Sequence, residues 1–325
     1  MEQPGRRCLR ACQGHRRAVS QDPNPPHALL RPRIAIPFIL TALIWGSTWY
    51  VIRGQITDVP GQWSIAYRFA MAAPAMFALA IAMRKSLAMP ARAHGLAMAM
   101  GLLQFCGNYT FVYASEAHLT SGVVALLIGM MFVPNALLAR ALLGQTVTRR
   151  FVLGSAIALA GIAVLLVNEA RAAPMGGADV PLGTLLALGG MLVASVANVI
   201  QAGPAGRGVP LVTLLAWAIL YGTGIDVAAA WIVAGPPVFP DAPAYWLGTA
   251  WLAIAGTVVT FPMYYQLVRE LGAGRAAYNG VLVVVIAMAI STLLEGYVWS
   301  ALAITGAALA TAGMIVALRA RQVAP

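Results

Sequence analysis

Two apolar runs within residues 110–166, at about 120–143 and 151–168, flank a short turn that carries Arg149 and Arg150. At about 1.5 Å per helical residue, each is long enough to cross the hydrocarbon core of a bilayer. Eight more such runs give spans at about 34–53, 64–83, 95–114, 120–143, 151–168, 182–201, 210–234, 244–268, 275–295 and 300–318. Only 10% of the 325 residues are charged and 60% are hydrophobic. A soluble domain carries about 25% charged residues, so this chain cannot cover a water-facing surface. The expected fold is all-α and integral to the membrane, with a lipid bilayer as its first partner.

The pattern around 110–166 recurs near the end of the chain. Tyr113, Gly122, Gln145, Gly154 and Gly161 find counterparts in Tyr265, Gly274, Glu295, Gly306 and Gly313, offset by 152 residues, or by 150 for Gln145 and Glu295. A self-match at half the chain length indicates a duplicated unit rather than a short solenoid repeat. The expected units are residues 34–168 and 182–318, five helices each. Five is odd, so the second unit enters the membrane from the side opposite to the first. Ten transmembrane helices in two inverted repeats suit alternating access around a central path.

Lys and Arg set the orientation. With the N-terminus inside, 18 of the 21 fall on the cytoplasmic side, two (Arg53, Arg171) fall outside, and Arg68 lies within a span. Positive residues collect inside, so both termini are expected in the cytoplasm. The same bias explains the net charge of +11 without a nucleic-acid partner. Trp49, Trp63, Trp231, Trp246 and Trp299 fall at outer helix ends, where an interfacial aromatic belt belongs. Residues 1–33 are polar and rich in arginine and proline, and read as a disordered basic cytoplasmic tail. Its Cys8, Cys12 and His15 lack a fourth ligand at zinc-site spacing. No metal or cofactor is expected.

Several motifs carry the resemblance to a known family. In the first copy these are Tyr113-Ala114, Ser121-Gly122, Pro134, Leu143-Gly144-Gln145 and Thr148. In the second they are Tyr265, Gly272-Ala273-Gly274, Arg275-Ala276-Ala277 and Glu295, with Trp45-Gly46 and Arg68-Phe69 near the start. In order and spacing the chain resembles the EamA family of the drug/metabolite transporter superfamily over about 34–318. That resemblance implies a secondary transporter, not an enzyme, in the bacterial inner membrane. It also implies export of small metabolites such as amino acids or related amphipathic compounds. Two departures are Gln145, where the family usually has glutamate, and Val284, where a proline is common. A glutamine at 145 argues that this turn residue caps or pins rather than carries protons.

The candidate substrate-binding side chains are Trp45, Tyr50, Arg68, Asn108, Tyr113, Asn198, Trp217, Tyr221, Asp226 and Tyr265. Aromatic walls with few polar groups are typical of small-molecule sites, although each residue alone also suits helix packing. Arg68 and Asp226 are the charges inside spans, where charge is costly and points to function. Arg68 either acts there or snorkels to the headgroups. Asp226 either faces the cavity, pairs with Arg68, or sits in a wider interface. Glu116 and His118 read as a solvated loop pair or a proton relay. Two opposing classes are a membrane-embedded enzyme acting on lipid-linked substrates and a passive channel. The enzyme would need carboxylates or histidines clustered at one membrane face, whereas the outer acids are spread one or two to a loop.

Overall fold

The computed structural model describes residues 32–144, 146–172, 179–202, 208–271 and 278–319. Residues 1–31 of the basic tail, Gln145, Arg207, the glycine-rich stretch 272–277 and Arg321 fall outside these, whereas Pro32 and Arg33, assigned to the tail from the sequence, open the first helix. Helices in chain order are α1 (Pro32–Gln55), α2 (Gly61–Ala82), α3 (91–116), α4 (121–143), α5 (Arg149–Ala172) and α6 (Asp179–Ala202). They are followed by α7 (Leu211–Ala234), α8 (243–271), α9 (Tyr278–Leu294) and α10 (Ala301–Leu318). No strand is present among the described residues.

Seven of these helices are long and apolar enough to cross a membrane: α1, α2, α4, α5, α6, α7 and α8. The apolar stretches of α9 and α10, Asn279–Leu294 and Ala301–Ala317, are shorter. α3 is continuous but carries Arg92, His94, Gln104 and Asn108 along its length.

Proline chemistry explains one irregularity. α4 breaks at Met130–Met131, four residues before Pro134, whose ring lacks an N–H and crowds the carbonyl of residue 130. The turn tightens instead, with Met130 N to Leu127 O at 3.1 Å and Val133 N to Met130 O at 2.9 Å. Pro37 and Pro74 leave α1 and α2 unbroken. α3 and α8 each contain a wider, π-helical stretch, at Gly101–Gly107 and Trp251–Val259. The second leads into Pro262. π-helical turns inside α-helices are rare and frequent at functional sites.

Glycines set the helix spacing. A Cβ on Gly154 would lie 2.8 Å from Gly313 O, and one on Gly313 would lie 2.7 Å from Gly154 O. Gly161 and Gly306 repeat this, at 2.7 and 2.8 Å. Backbone therefore meets backbone where α5 crosses α10, as small-residue interfaces permit in membranes. α2 packs along α7, α1 against α8 and α9, α3 against α6 and α7, and α4 against α6 and α9.

Two large apolar cores result. One draws Ile52 from α1, Phe69 and Met76 from α2, Phe105 from α3, Leu215 and Ile219 from α7, and Leu252 from α8. The other draws Leu126 from α4, Leu165 from α5, Met191 from α6, Met288 from α9 and Met314 from α10. Each core takes helices from both halves of the sequence. Trp231 and Trp299 are exposed, as a belt requires, whereas Trp63 is buried.

Candidate transport path

A column of polar side chains runs between α1, α2, α3 and α8. Near the end of α1, Gln55 donates from Nε2 to Thr249 Oγ1 at 2.6 Å and accepts from the Tyr113 hydroxyl at 3.1 Å. Beside it, the hydroxyls of Ser64 and Tyr245 meet at 2.8 Å. Next comes Arg68, 1% exposed. Its Nη2 donates to Tyr109 Oη at 3.2 Å and Thr257 Oγ1 at 3.3 Å. The guanidinium lies 4.3 Å from the Tyr109 ring centroid and 5.3 Å from that of Phe69. Thr257 belongs to the π-helical stretch of α8, and neighbouring Gly256 keeps room for the guanidinium. A Cβ there would stand 3.6 Å from Arg68 Nη2 and 2.9 Å from Thr48 Cγ2. Trp45 closes this level, its Nε1 donating to Gly256 O at 3.2 Å and its ring against Phe261 and Tyr264.

Snorkelling is thereby corrected: Arg68 is enclosed by protein rather than extended toward the headgroups. A direct Arg68–Asp226 pair is corrected as well. Among the described residues the one Lys/Arg–carboxylate contact within 4.0 Å joins Arg53 and Glu295. Asp226, 3% exposed, lies against Cys106 of α3.

The other candidates occupy separate places. Tyr265 donates to Gln201, and Asn198 Nδ2 approaches Met131 Sδ at 3.2 Å. Trp217 Nε1 donates to Leu87 O at 2.9 Å, and Tyr221 shares a 2.9 Å hydrogen bond with His94 Nδ1, forming an aromatic group with Phe77 at the far end of α7. Asn108 is buried with Oδ1 unpartnered. Tyr50 is 39% exposed on α1 and joins none of these groups. Sequence reasoning missed Tyr109, Thr257, Gln55, Thr249, Ser64, Tyr245 and His94. Their signal was polarity at membrane depth.

Glu116 needs the largest correction. It lies two residues past the predicted 95–114 span and is fully buried rather than solvated, with neither carboxylate oxygen hydrogen-bonded. Burial, and then Glu295, push its carboxyl well above the ordinary range, against the pull of Arg53. Arg53 Nη1 donates to Glu116 O at 2.9 Å and Leu119 O at 2.7 Å. Glu295 accepts from Ser121 N at 3.2 Å and Ser291 Oγ at 2.6 Å, so this turn glutamate caps α4 from the other half of the chain. Glu116 and Glu295 thus converge, although the sequence spaces them far apart.

A groove of about 780 Å³ between α4, α9 and α10 is distinct from this column. Its lining is apolar, from Leu126, Val284, Met288, Leu293 and Ile304, and Leu293 is 80% exposed. Such a surface is one that lipid would cover.

Residues 33–167 match the EamA-like transporter family. That matched stretch is less than half of the chain and coincides with the first of the two expected units. Protein PagO of Salmonella typhimurium is 25% identical over 136 residues, 42% of this chain and 45% of PagO. The alignment therefore spans less than half the length of that relative. A solved crystal structure of 19% identity superposes with a TM-score of 0.63, covering 88% of this chain and 97% of the other. At that identity it speaks for the fold alone.

Proposed function

We propose that the protein is a secondary transporter that moves small metabolites outward across the bacterial inner membrane by alternating access. Two inverted five-helix units, 34–168 and 182–318, with both termini cytoplasmic, form its frame. One observation carries this reading: Gly154 meets Gly313 while Gly161 meets Gly306. With offsets of 152, position i of one copy meets the equivalent of j in the other, and j meets the equivalent of i. That reciprocity is the signature of a two-fold axis. The π-helical stretches Gly101–Gly107 and Trp251–Val259 support it, since they recur 150 to 152 residues apart. So do the packings, because α2 with α7, α4 with α9 and α5 with α10 are each an element against its own repeat.

In this reading Arg68, Tyr113 and Trp45 belong to the central column, Asn108, Asn198, Trp217, Tyr221, Asp226 and Tyr265 belong to other levels of the path, and Tyr50, 39% exposed on α1, has no support from the packing. Burial of that column fits a closed intermediate better than a passive pore. Enzyme chemistry has less support, because the converging acids Glu116 and Glu295 are enclosed against Arg53.

Single cysteines at Trp45, Asn108, Tyr113, Asn198 and Trp217, in a background without Cys8, Cys12 and Cys106, test the reading. A membrane-impermeant thiol reagent should label them in one conformational state only. Labelling at positions 154, 161, 306 and 313, with protection at those five, would remove the central path.

A further inference from the structure

Beyond Gln55 and Tyr113 the polar column ends in a junction of two carboxyls and one cation. On the regular helical stretch Asn108–Glu116 of α3, Tyr109, Tyr113 and Glu116 follow one another four and three residues apart, which puts them on one face. Glu116 is therefore the last group of a stripe whose other members belong to the column. It is fully buried, and neither of its carboxylate oxygens has a hydrogen-bond partner.

The groups around it are engaged elsewhere. Among the described residues the charges that act on Glu116 are Arg53 of α1 and Glu295 at the end of α9. Arg53 directs Nη1 to the carbonyls of Glu116 and Leu119, and its Nε stands 4.0 Å from Glu295 Oε1. Glu295 Oε2 accepts from Ser121 N and Ser291 Oγ. Two donors and a cation thus meet Glu295, while the Glu116 carboxyl has no donor. His118 follows on the same turn, but its Cβ lies against Gly183 of α6. At the start of α4 the hydroxyls of Thr120 and Ser121 are enclosed without partners, and neither carries charge. One cation against two carboxylates leaves the junction short of one positive charge. A buried carboxylate without a partner takes up a proton instead. A proton on Glu116 makes the junction neutral.

We infer that Glu116 is a proton-binding site, whose proton lets Arg53 and Glu295 shut this end of the column and whose loss opens it. The inference rests on the transporter reading, which places this end at the outer face, and adds the ion that controls it. The clasp joins both halves of the chain: Arg53, Glu116 and Ser121 come from the first, Glu295 from the second. Rocking the halves apart at this end draws Glu295 away from Ser121 and Arg53 and admits water to Glu116. The open state then hydrates the carboxylate and the closed state binds the proton, so outer pH shifts the balance between them. Acid favours the closed state and alkali the open one. The proton comes from outer water and returns to it.

Two measurements on the full chain test this. In purified protein at neutral pH, where an ordinary glutamate of pKa about 4.3 is ionised, infrared spectra should show a protonated-carboxyl stretch that Glu116→Gln removes. A spectrum unchanged by Glu116→Gln overturns the inference. The second measurement uses cells carrying a single cysteine at Trp45, labelled from outside by an impermeant methanethiosulfonate. Rates are corrected at each pH for the reactivity of the same cysteine in unfolded protein. Raising the outer pH should speed labelling by about fivefold or more, the low end of ordinary coupling between sites. Glu116→Gln should hold labelling at the slow, acid level throughout. Glu295→Gln should move the midpoint toward acid, because Glu116 then loses a like charge and gains Arg53. A purely structural role for Glu295 would not move that midpoint. Melting of each variant at acid pH checks folding. Labelling that follows external sodium rather than pH would assign the junction to a metal cation and overturn the proton. Labelling indifferent to pH or to Glu116, with state dependence at the other cysteines intact, overturns the inference and leaves the transporter reading standing. Protection at all five cysteines with labelling at the α5–α10 glycines removes the transporter reading, and the infrared stretch then still reports on Glu116.

Discussion

Glu116 is a carboxyl that gains nothing from being charged where it stands. Its oxygens meet no donor, and the nearest cation, Arg53, is shared with Glu295. Because its carboxyl is raised in the folded state, the native protein binds a proton that the unfolded chain has released. Stability is therefore greatest at low pH and falls as pH climbs from the ordinary glutamate value, about 4.3, toward the raised native one. The slope over that window is about 1.4 kcal/mol per pH unit for one proton. Glu116→Gln should remove it, so its melting temperature should be flatter than the parent's between pH 5 and 7. The same slope in both proteins would mean that Glu116 ionises freely. Arg53 makes the complementary case. Arg53→Ala removes two hydrogen bonds to backbone carbonyls and the partner of Glu295. Melting should fall by more than a lost surface charge explains, by about 1–3 kcal/mol. A melting temperature within error of the parent's would make this junction decorative.

At the scale of elements, the α5–α10 crossing sets the sharpest steric test. A Cβ on Gly161 would lie 2.3 Å from Ala310 N, and that backbone has no flexible end to yield. Gly161→Ala should cost at least the 1–3 kcal/mol typical of overpacking. Gly54 in α1 has nothing within 4 Å of the same position, so Gly54→Ala should be neutral or gain up to about 1 kcal/mol from helix propensity. Equal melting of the two variants would rule out close α5–α10 contact. These elements were largely readable beforehand, because apolar length and glycines seven apart are local signals. Proline is a weaker local signal: Pro134 sits where α4 breaks, but Pro37 and Pro74 leave α1 and α2 unbroken. The π-helical stretches left no such trace: Gly101–Gly107 contains no proline, and what surrounds it comes from α7 far along the chain, where a Cβ on Gly101 would meet Ala218 O at 2.7 Å. Arg68 and Asp226 stood out as charges at membrane depth, but their turning to α3 rather than to each other depends on packing. Glu116 was misread for a related reason. A loop position two residues past a span looks solvated until α1 and the end of α9 close over it.

At the scale of the whole molecule, helices from the two halves of the chain interleave in a way that the sequence does not disclose. α1, α2 and α3 share one core with α7 and α8, while α4 and α5 share the other with α6, α9 and α10. Neither half can bury its apolar faces without the other. A chain cut between residues 172 and 179 should therefore behave as two dependent pieces. Expressed alone, residues 1–172 or 179–325 should be degraded or aggregate; co-expressed, they should copurify and melt cooperatively near the intact protein. A lone half that purifies as a stable monomer would contradict the shared cores. The same pieces report orientation. With the N-terminus inside, as proposed above, an odd number of spans in the first unit would carry residue 172 to the outer face. A periplasm-dependent phosphatase fused after residue 172 should be active, and one fused after residue 325 inactive. Activity at residue 325 would mean an odd total of spans, and the inverted pairing of the two units would have to be abandoned.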